Sequence, residues 1–285
     1  RRRLLLTAGM YKYVKDLSDH SREGLLSYAV NQYDLLYYEE GVSSVVTVAR
    51  NRDTGNLWLA NNGKVEASTT LDMPTQVLVS LLPFPYVEEP KDVLVIGLAS
   101  GITAGSVTVI DDVERIDIVE IEPAIEPAAR LFADQNHHVL DDPRTNLIYN
   151  DARNHLLLSP EGSYDIVVSE PSNPWISGVS NLFTREYWQA AKGRLADDGV
   201  WMVADIRARG GLEENRAIPV LPLMYGMSIL YCMSSALSEP GGAGLGTLGL
   251  TTSVFEEMTQ AAGFTGFVSR EFDVDVMNRY YEVRP

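Results

Sequence analysis

The stretch from Asp92 to Glu122, DVLVIGLASGITAGSVTVIDDVERIDIVEIE, constrains the fold of this chain more than any other. The apolar, β-branched run Val93–Ile96 predicts a buried strand. Glycines at 97, 101 and 105 follow, then a helical stretch, then a second strand (Ile116–Val119) that ends on Glu120. Strand, glycine turn, helix and strand make half of a nucleotide-binding α/β unit. The glycines let a ligand approach the backbone, and the helix N-terminus offers free N–H groups. An acid ending the second strand can accept both hydroxyls of a ribose. The spacing G-x-x-x-G-x-x-x-G is neither the dinucleotide G-x-G-x-x-G nor a P-loop, which needs Gly-Lys-Ser/Thr. The unit points to a nucleoside-containing cofactor, with a tight turn that binds nothing as the alternative.

The pattern continues downstream. Strands are predicted at Asn146–Tyr149, Ile166–Ser169 and Val200–Ala204, the last after a helix (Arg185–Leu195) and an Asp197-Asp198-Gly199 turn. Such alternation gives an α/β fold, a mostly parallel sheet with helices on both faces, with ligands at the carboxyl ends of its strands. Upstream, residues 1–70 read as β-rich. The runs Ser43–Ala49, Leu57–Ala60 and Lys64–Ala67 are joined by the turns Asp53-Thr54-Gly55-Asn56 and Asn61-Asn62-Gly63. Two units are therefore expected, a hairpin module over 1–70 and a nucleoside-binding domain over 71–285. At their junction Asp72 is predicted to cap a helix with Pro74 in its first turn and Val77, Leu78, Leu81 and Leu82 on one buried face. A loop over 241–246, a helix over Thr252–Ala262 and a strand over Tyr280–Val283 are expected in the C-terminal part.

The net charge of −16 argues against nucleic acid and anionic membrane surfaces as partners. No apolar run reaches the length of a membrane span. The single cysteine, Cys232, excludes an internal disulfide and fits a reducing, cytoplasmic compartment. The histidines at 20, 137, 138 and 155 have no metal-ligand spacing, so no metal is expected; His137 and His138 read as a surface pair. The chain opens on arginine, which reads as a fragment or a processed form.

Chemistry is expected at the strand ends. Asp151 follows the third strand, where it can bond an adenine amino group, cap the next helix, or do both. The fourth strand runs into Ser169-Glu170-Pro171-Ser172-Asn173-Pro174-Trp175, a loop stiffened by two prolines. There Glu170 can take a proton from an attacking amine, Asn173 can bond an amine without acting as a base, and Trp175 can wall an apolar or cationic substrate. A solvated turn with a packed tryptophan is the alternative.

Taken together, these residues resemble the spermidine synthases, the polyamine aminopropyltransferases, over about residues 25–205, and most of all the branch often fused to membrane segments. The stretches that carry the likeness are Asn62–Ser68, Asp72-Met73-Pro74-Thr75-Gln76, VLVIGLASGITAG, VEIEPAI, Leu140–Arg144, Asn150–Arg153, SEPSNPW and Asn181–Thr184. The resemblance implies a Rossmann-like class I S-adenosylmethionine-dependent transferase fold with a small N-terminal antiparallel β module. It implies decarboxylated S-adenosylmethionine as donor, an amine as acceptor, no metal, and a homodimer. By position, Gly97, Ser100 and Gly101 form the donor turn, Glu120 holds the ribose, Asp151 the adenine region, and Gln76 lines the site. Glu170 matches the first acid of the family's D-S/T-x-D-P loop, assigned as the base. A membrane-fused parent would also fit the missing start methionine.

Departures from the family pattern bear on the reaction. Ser100 stands where an aspartate anchors the donor's amino group, Asn173 where a second loop acid faces the acceptor, and Thr75 where a tyrosine precedes the glutamine. A diamine site needs acids to pair its ammonium groups, so this one reads as depleted. From about Val203 the chain resembles bacterial S-adenosylmethionine-dependent methyltransferases instead, in Asp205–Asn215, Tyr225–Ser238, 241–246, Ala262-Gly263-Phe264 and Tyr281–Pro285. That change reads as a junction, natural or engineered, within a shared sheet architecture. The expected function is aminopropyl transfer, with methyl transfer from intact S-adenosylmethionine and a non-catalytic adenosyl-binding module as alternatives.

Overall fold

In a computed structural model, the structure describes residues 3, 19–170, 182, 184–216, 221–234, 237 and 244–285. Helix α1 (Arg22–Gln32) starts on Ser21, whose hydroxyl accepts from the Gly24 N–H at 3.1 Å. The sequence reading missed it because its apolar residues gather on no single face. The meander β1 (Tyr33–Glu40), β2 (Val45–Asn51), β3 (Leu57–Asn61) and β4 (Lys64–Ser68) forms an antiparallel four-stranded sheet. β1 was also missed: its sequence, YDLLYYEE, alternates poorly and is partly exposed. One face of this sheet packs Ala49, Trp58 and Ala60 against Ala29 and Tyr33. The other sends Val46, Val48, Leu57 and Leu59 into the main core.

The second sheet has seven strands in the order β10-β11-β9-β8-β5-β6-β7. Its parallel part comprises β5 (Asp92–Ile96), β6 (Arg115–Glu120), β7 (Thr145–Tyr149), β8 (Tyr164–Ser169) and β9 (Leu195–Ile206). β11 (Asp275–Arg284) runs antiparallel between β9 and β10 (Gly266–Phe272). The order reverses between β5 and β8, the switch point at which such sheets open a crevice for ligands. Side chains alternate between two buried layers. Val93, Val95, Ile118, Ile166, Met202 and Tyr280 face one; Leu94, Val167, Trp201, Val203 and Tyr281 face the other.

Between the sheets lies α2 (Met73–Leu81); the shorter α3 (Ile102–Val107), α4 (Ile125–Ala129) and α5 (Ala152–Leu158) follow, then α6 (Arg185–Arg194), α7 (Leu212–Asn215), α8 (Leu221–Met227) and α9 (Thr252–Ala262). Among the described residues no helix is long and apolar enough to cross a membrane.

Three expectations need correction. Asp72 precedes α2 in helical conformation and makes no side-chain cap; its carboxylate belongs to the environment of Glu170. The buried face of α2 is Thr75, Gln76, Val79 and Ser80, because the helix is covered from two sides and its polar first turn finds partners there. The Asp197-Asp198-Gly199 segment continues β9 through a register shift opposite Tyr164/Ile166, so it is a bulge and not a turn. Of the glycine-dense loop, residues 241–243 lie outside the described residues; Gly244–Gly246 carry no regular structure. His137 and His138 are exposed, each with a positive φ.

Candidate active site

The turn after β5 is held from three directions. Gly97 (φ +88°) donates its N–H to the Val119 carbonyl at 2.8 Å, tying the turn to β6. Gly101 (φ +78°) takes the left-handed conformation that starts α3. At Gly105 an added Cβ would stand 2.0 Å from the Asn136 carbonyl oxygen, so only glycine fits. Asn136 is itself fixed by donating to the Ser100 and Ala129 carbonyls at 2.9 and 3.0 Å.

Glu120 ends β6 against this turn. Its carboxylate accepts from the Leu98 N–H and the Glu122 N–H, both at 2.9 Å. Burial raises its proton affinity above the ordinary carboxylate range, and the backbone donors work against that rise. Two residues on, Glu122 is gripped by the loop between β1 and β2. It accepts from the N–H groups of Ser43 (2.6 Å), Ser44 (3.1 Å) and Val42 (3.2 Å) and from the Ser43 hydroxyl (2.9 Å). Burial would raise its pKa, yet this set of donors leaves it below the ordinary value. The N-terminal sheet is thus latched to the strand end that carries Glu120. Asn150 reaches the same place, its N–H donating to the Glu120 carbonyl at 3.1 Å. Asp151 caps α5 by accepting from the Asn154 N–H at 3.0 Å.

Gln76 and Ser100 meet directly: the Ser100 hydroxyl donates to Gln76 Oε1 at 2.6 Å, and Gln76 Nε2 donates to the Ser68 carbonyl at 3.0 Å. Both side chains are buried. Thr75, next to Gln76, donates its hydroxyl to Asp275 Oδ2 at 2.6 Å and accepts from Asn278 Nδ2 at 2.9 Å. Tyr280 donates to the same Asp275 oxygen at 2.6 Å. Asp275 and Asn278 were not anticipated from sequence. Nothing in the string DVDVMN distinguishes them until β11 is laid beside β9 with its first residue at the carboxyl edge.

Glu170 follows directly on β8. The residue is exposed, and crowding by the surrounding protein is the largest cause of a pKa pushed up to about 8. Asp72, Glu66 and Asp275 add to the rise and Lys64 opposes it. Lys64 is paired with Glu66 at 2.7 Å. Acids from β4, the start of α2 and β11 therefore act electrostatically on Glu170, which the sequence reading of a site depleted in acids did not foresee. Asn173 and Trp175 lie outside the described residues. Among the described residues no cluster of His, Cys, Asp and Glu could hold a metal ion.

Comparison with known proteins finds relatives of one kind. Residues 75–208 match the model of the spermine/spermidine synthase domain. The polyamine aminopropyltransferase of Clostridium perfringens is 34% identical over 110 residues, 39% of this chain and 38% of that one. Putrescine N-methyltransferase 1 of Nicotiana tabacum is 28% identical over 142 residues, 50% of this chain and 38% of that one. The matched stretches thus span only about two fifths of these curated relatives. A crystal structure of spermidine synthase with the transition-state analogue AdoDATO superposes with a TM-score of 0.65 at 17% identity, over 88% of this chain and 73% of that one. The last likeness establishes the fold, a Rossmann-like mostly parallel sheet with helices and a small antiparallel N-terminal sheet, as in that spermidine synthase.

Proposed function

The chain carries a spermine/spermidine synthase domain over residues 75–208, and from that premise we propose that it transfers an aminopropyl group from decarboxylated S-adenosylmethionine to an amine. The observation that carries the reading is the placement of Glu170. It stands at the carboxyl end of β8, beside the switch point, among acids suited to a cationic acceptor.

In this reading Glu120 exchanges its backbone donors for ribose hydroxyls, Asp151 contacts the adenine region, and Gly97, Ser100, Gly101 and Gln76 shape the donor turn. Thr75, Asn173 and Trp175 border the acceptor. The acceptor nitrogen's lone pair attacks the methylene next to the sulfonium. The carbon–sulfur bond breaks, its electron pair leaves on sulfur, and neutral methylthioadenosine departs. The proton released by the new ammonium passes to the Glu170 carboxylate. No oxyanion forms, so orientation of the two reactants and proton removal are the main tasks. A carboxyl group with a pKa near 8 is a far better base for an amine than an ordinary glutamate.

We further read residues 1–70 as a β-hairpin module and 71–285 as the catalytic part, in a cytoplasmic protein that forms a homodimer with the N-terminal hairpins as the contact surface. Sedimentation at micromolar concentration tests the pairing. The function is tested by incubating the protein with decarboxylated S-adenosylmethionine and putrescine and following methylthioadenosine and spermidine by mass spectrometry. If intact S-adenosylmethionine yields methylated putrescine and the decarboxylated donor yields nothing, the reading gives way to N-methyl transfer. Adenosyl-ligand binding without either product would leave a non-catalytic module.

A further inference from the structure

Asp275 is buried at the start of β11 and collects an unusual number of donors. Its Oδ2 accepts from Thr75 Oγ1 and the Tyr280 hydroxyl, both at 2.6 Å, and from Asn278 Nδ2 at 3.2 Å. Its Oδ1 accepts from the N–H groups of Met277 and Asn278 at 3.2 Å and from Asn278 Nδ2 at 3.3 Å. The arrangement joins two elements remote in sequence, the first turn of α2 and the hairpin end of β11. Thr75 is adjacent to Gln76, which holds Ser100 in the donor turn.

Sheet register places this hub. Ser169 of β8 pairs with Val203 of β9, and Tyr280 pairs with Ala204 on the other side of β9. Neighbouring strands lie about 4.8 Å apart, so β11 runs roughly 10 Å from the end of β8. Because β11 is antiparallel, its first residue, Asp275, projects beyond the carboxyl edge, the side on which Glu170 lies.

We propose that Asp275 is a positioning residue of the acceptor site: it orients the hydroxyls of Thr75 and Tyr280 and supplies a fixed negative charge on the carboxyl side of the sheet, within electrostatic reach of Glu170. Its oxygens are fully engaged by protein donors, so it acts on the acceptor through the field and through these hydroxyls, without touching it. The donors favour the ionised form and hold its carboxyl below the ordinary range even though burial works the other way. The other charged groups acting on Glu170 are Asp72, Glu66 and Lys64. The kinetic consequence rests on the aminopropyl-transfer reading; the electrostatic one does not.

The test compares Asp275→Asn and Asp275→Glu with the parent protein in two measurements. The first is steady-state kinetics with putrescine. The second is a ¹³C NMR titration of the Glu170 carboxyl, assigned by its absence from the Glu170→Gln spectrum. The Asn variant should raise KM about tenfold with a smaller change in kcat, as expected for one lost charge facing a dication. It should lower the Glu170 midpoint by about one pH unit, and the Glu variant should restore most of both. A Glu170 midpoint that stays in place in Asp275→Asn overturns the proposal. If that variant does not fold, Asp275→Ser, which also lacks the charge and leaves room for water, takes the same titration. A parent protein that transfers nothing removes the aminopropyl reading, while the NMR midpoint still decides the role of Asp275.

Discussion

At the scale of single residues, the site works by placing carboxylates in unlike surroundings. Glu120 and Glu122 are separated by one residue, yet burial raises the first and a nest of N–H donors lowers the second. Glu170 is raised chiefly by desolvation, as Glu120 is, but neighbouring carboxylates add to its rise where backbone donors oppose that of Glu120. Glu170→Gln should cut kcat by about 10²–10⁴-fold with little change in KM, the range for removing a general base. In the parent protein kcat/KM should rise with pH through about 8, since Glu170 accepts a proton only once it has lost its own. A profile already flat by pH 6.5 would remove Glu170 from that role. Ser100→Ala leaves the buried Gln76 Oε1 without the hydroxyl that now serves it, and should cost about 1–3 kcal/mol in a denaturant melt.

At the scale of elements, the close contacts are made by glycines and latches. Gly105→Ala sets a Cβ against the Asn136 carbonyl, so α3 has to move. Its effect should be a loss of about 1–3 kcal/mol of stability and weaker nucleoside binding by calorimetry. The Glu122 latch gives a pH signature. Its folded pKa is depressed, so its stabilisation is present above the unfolded value of about 4.5 and fades as pH falls through the lower folded value. The difference in melting temperature between the parent and Glu122→Gln should therefore be large at pH 7 and shrink below pH 4.5. Elements were legible in proportion to their regularity. β5 and β6 were read to within a residue at each end because both are buried over most of their length and β-branched residues dominate them, interrupted in β6 only by Asp117. α1 and β1 were not, since neither has a clean period. Of the site, Glu120, Gln76, Ser100 and Glu170 were legible because strand ends and turn spacing mark them. Asp275 was not, because its importance comes from contacts some 200 positions away in sequence.

At the scale of the whole molecule, a formal net charge of −16 makes a long-range field that attracts polyamine cations. The value of kcat/KM for putrescine should fall severalfold between about 20 and 300 mM salt, as screening shortens the reach of that field to roughly 6 Å. The topology has a further consequence, for the order of assembly. β11 follows β10 in sequence but lies inside the sheet, between β10 and β9. The open edge of β9 must therefore wait for a partner 72 positions on in sequence (Ile206 with Asn278), whereas β5 pairs with β6 across 23 positions (Val93 with Ile116) and β6 with β7 across 29 (Ile116 with Thr145). The half of the molecule that carries the glycine turn and Glu120 can consolidate first. The half completed by Asp275 and Tyr280 comes together last, so a refolding chain should gain affinity for a nucleoside before it gains any for an amine.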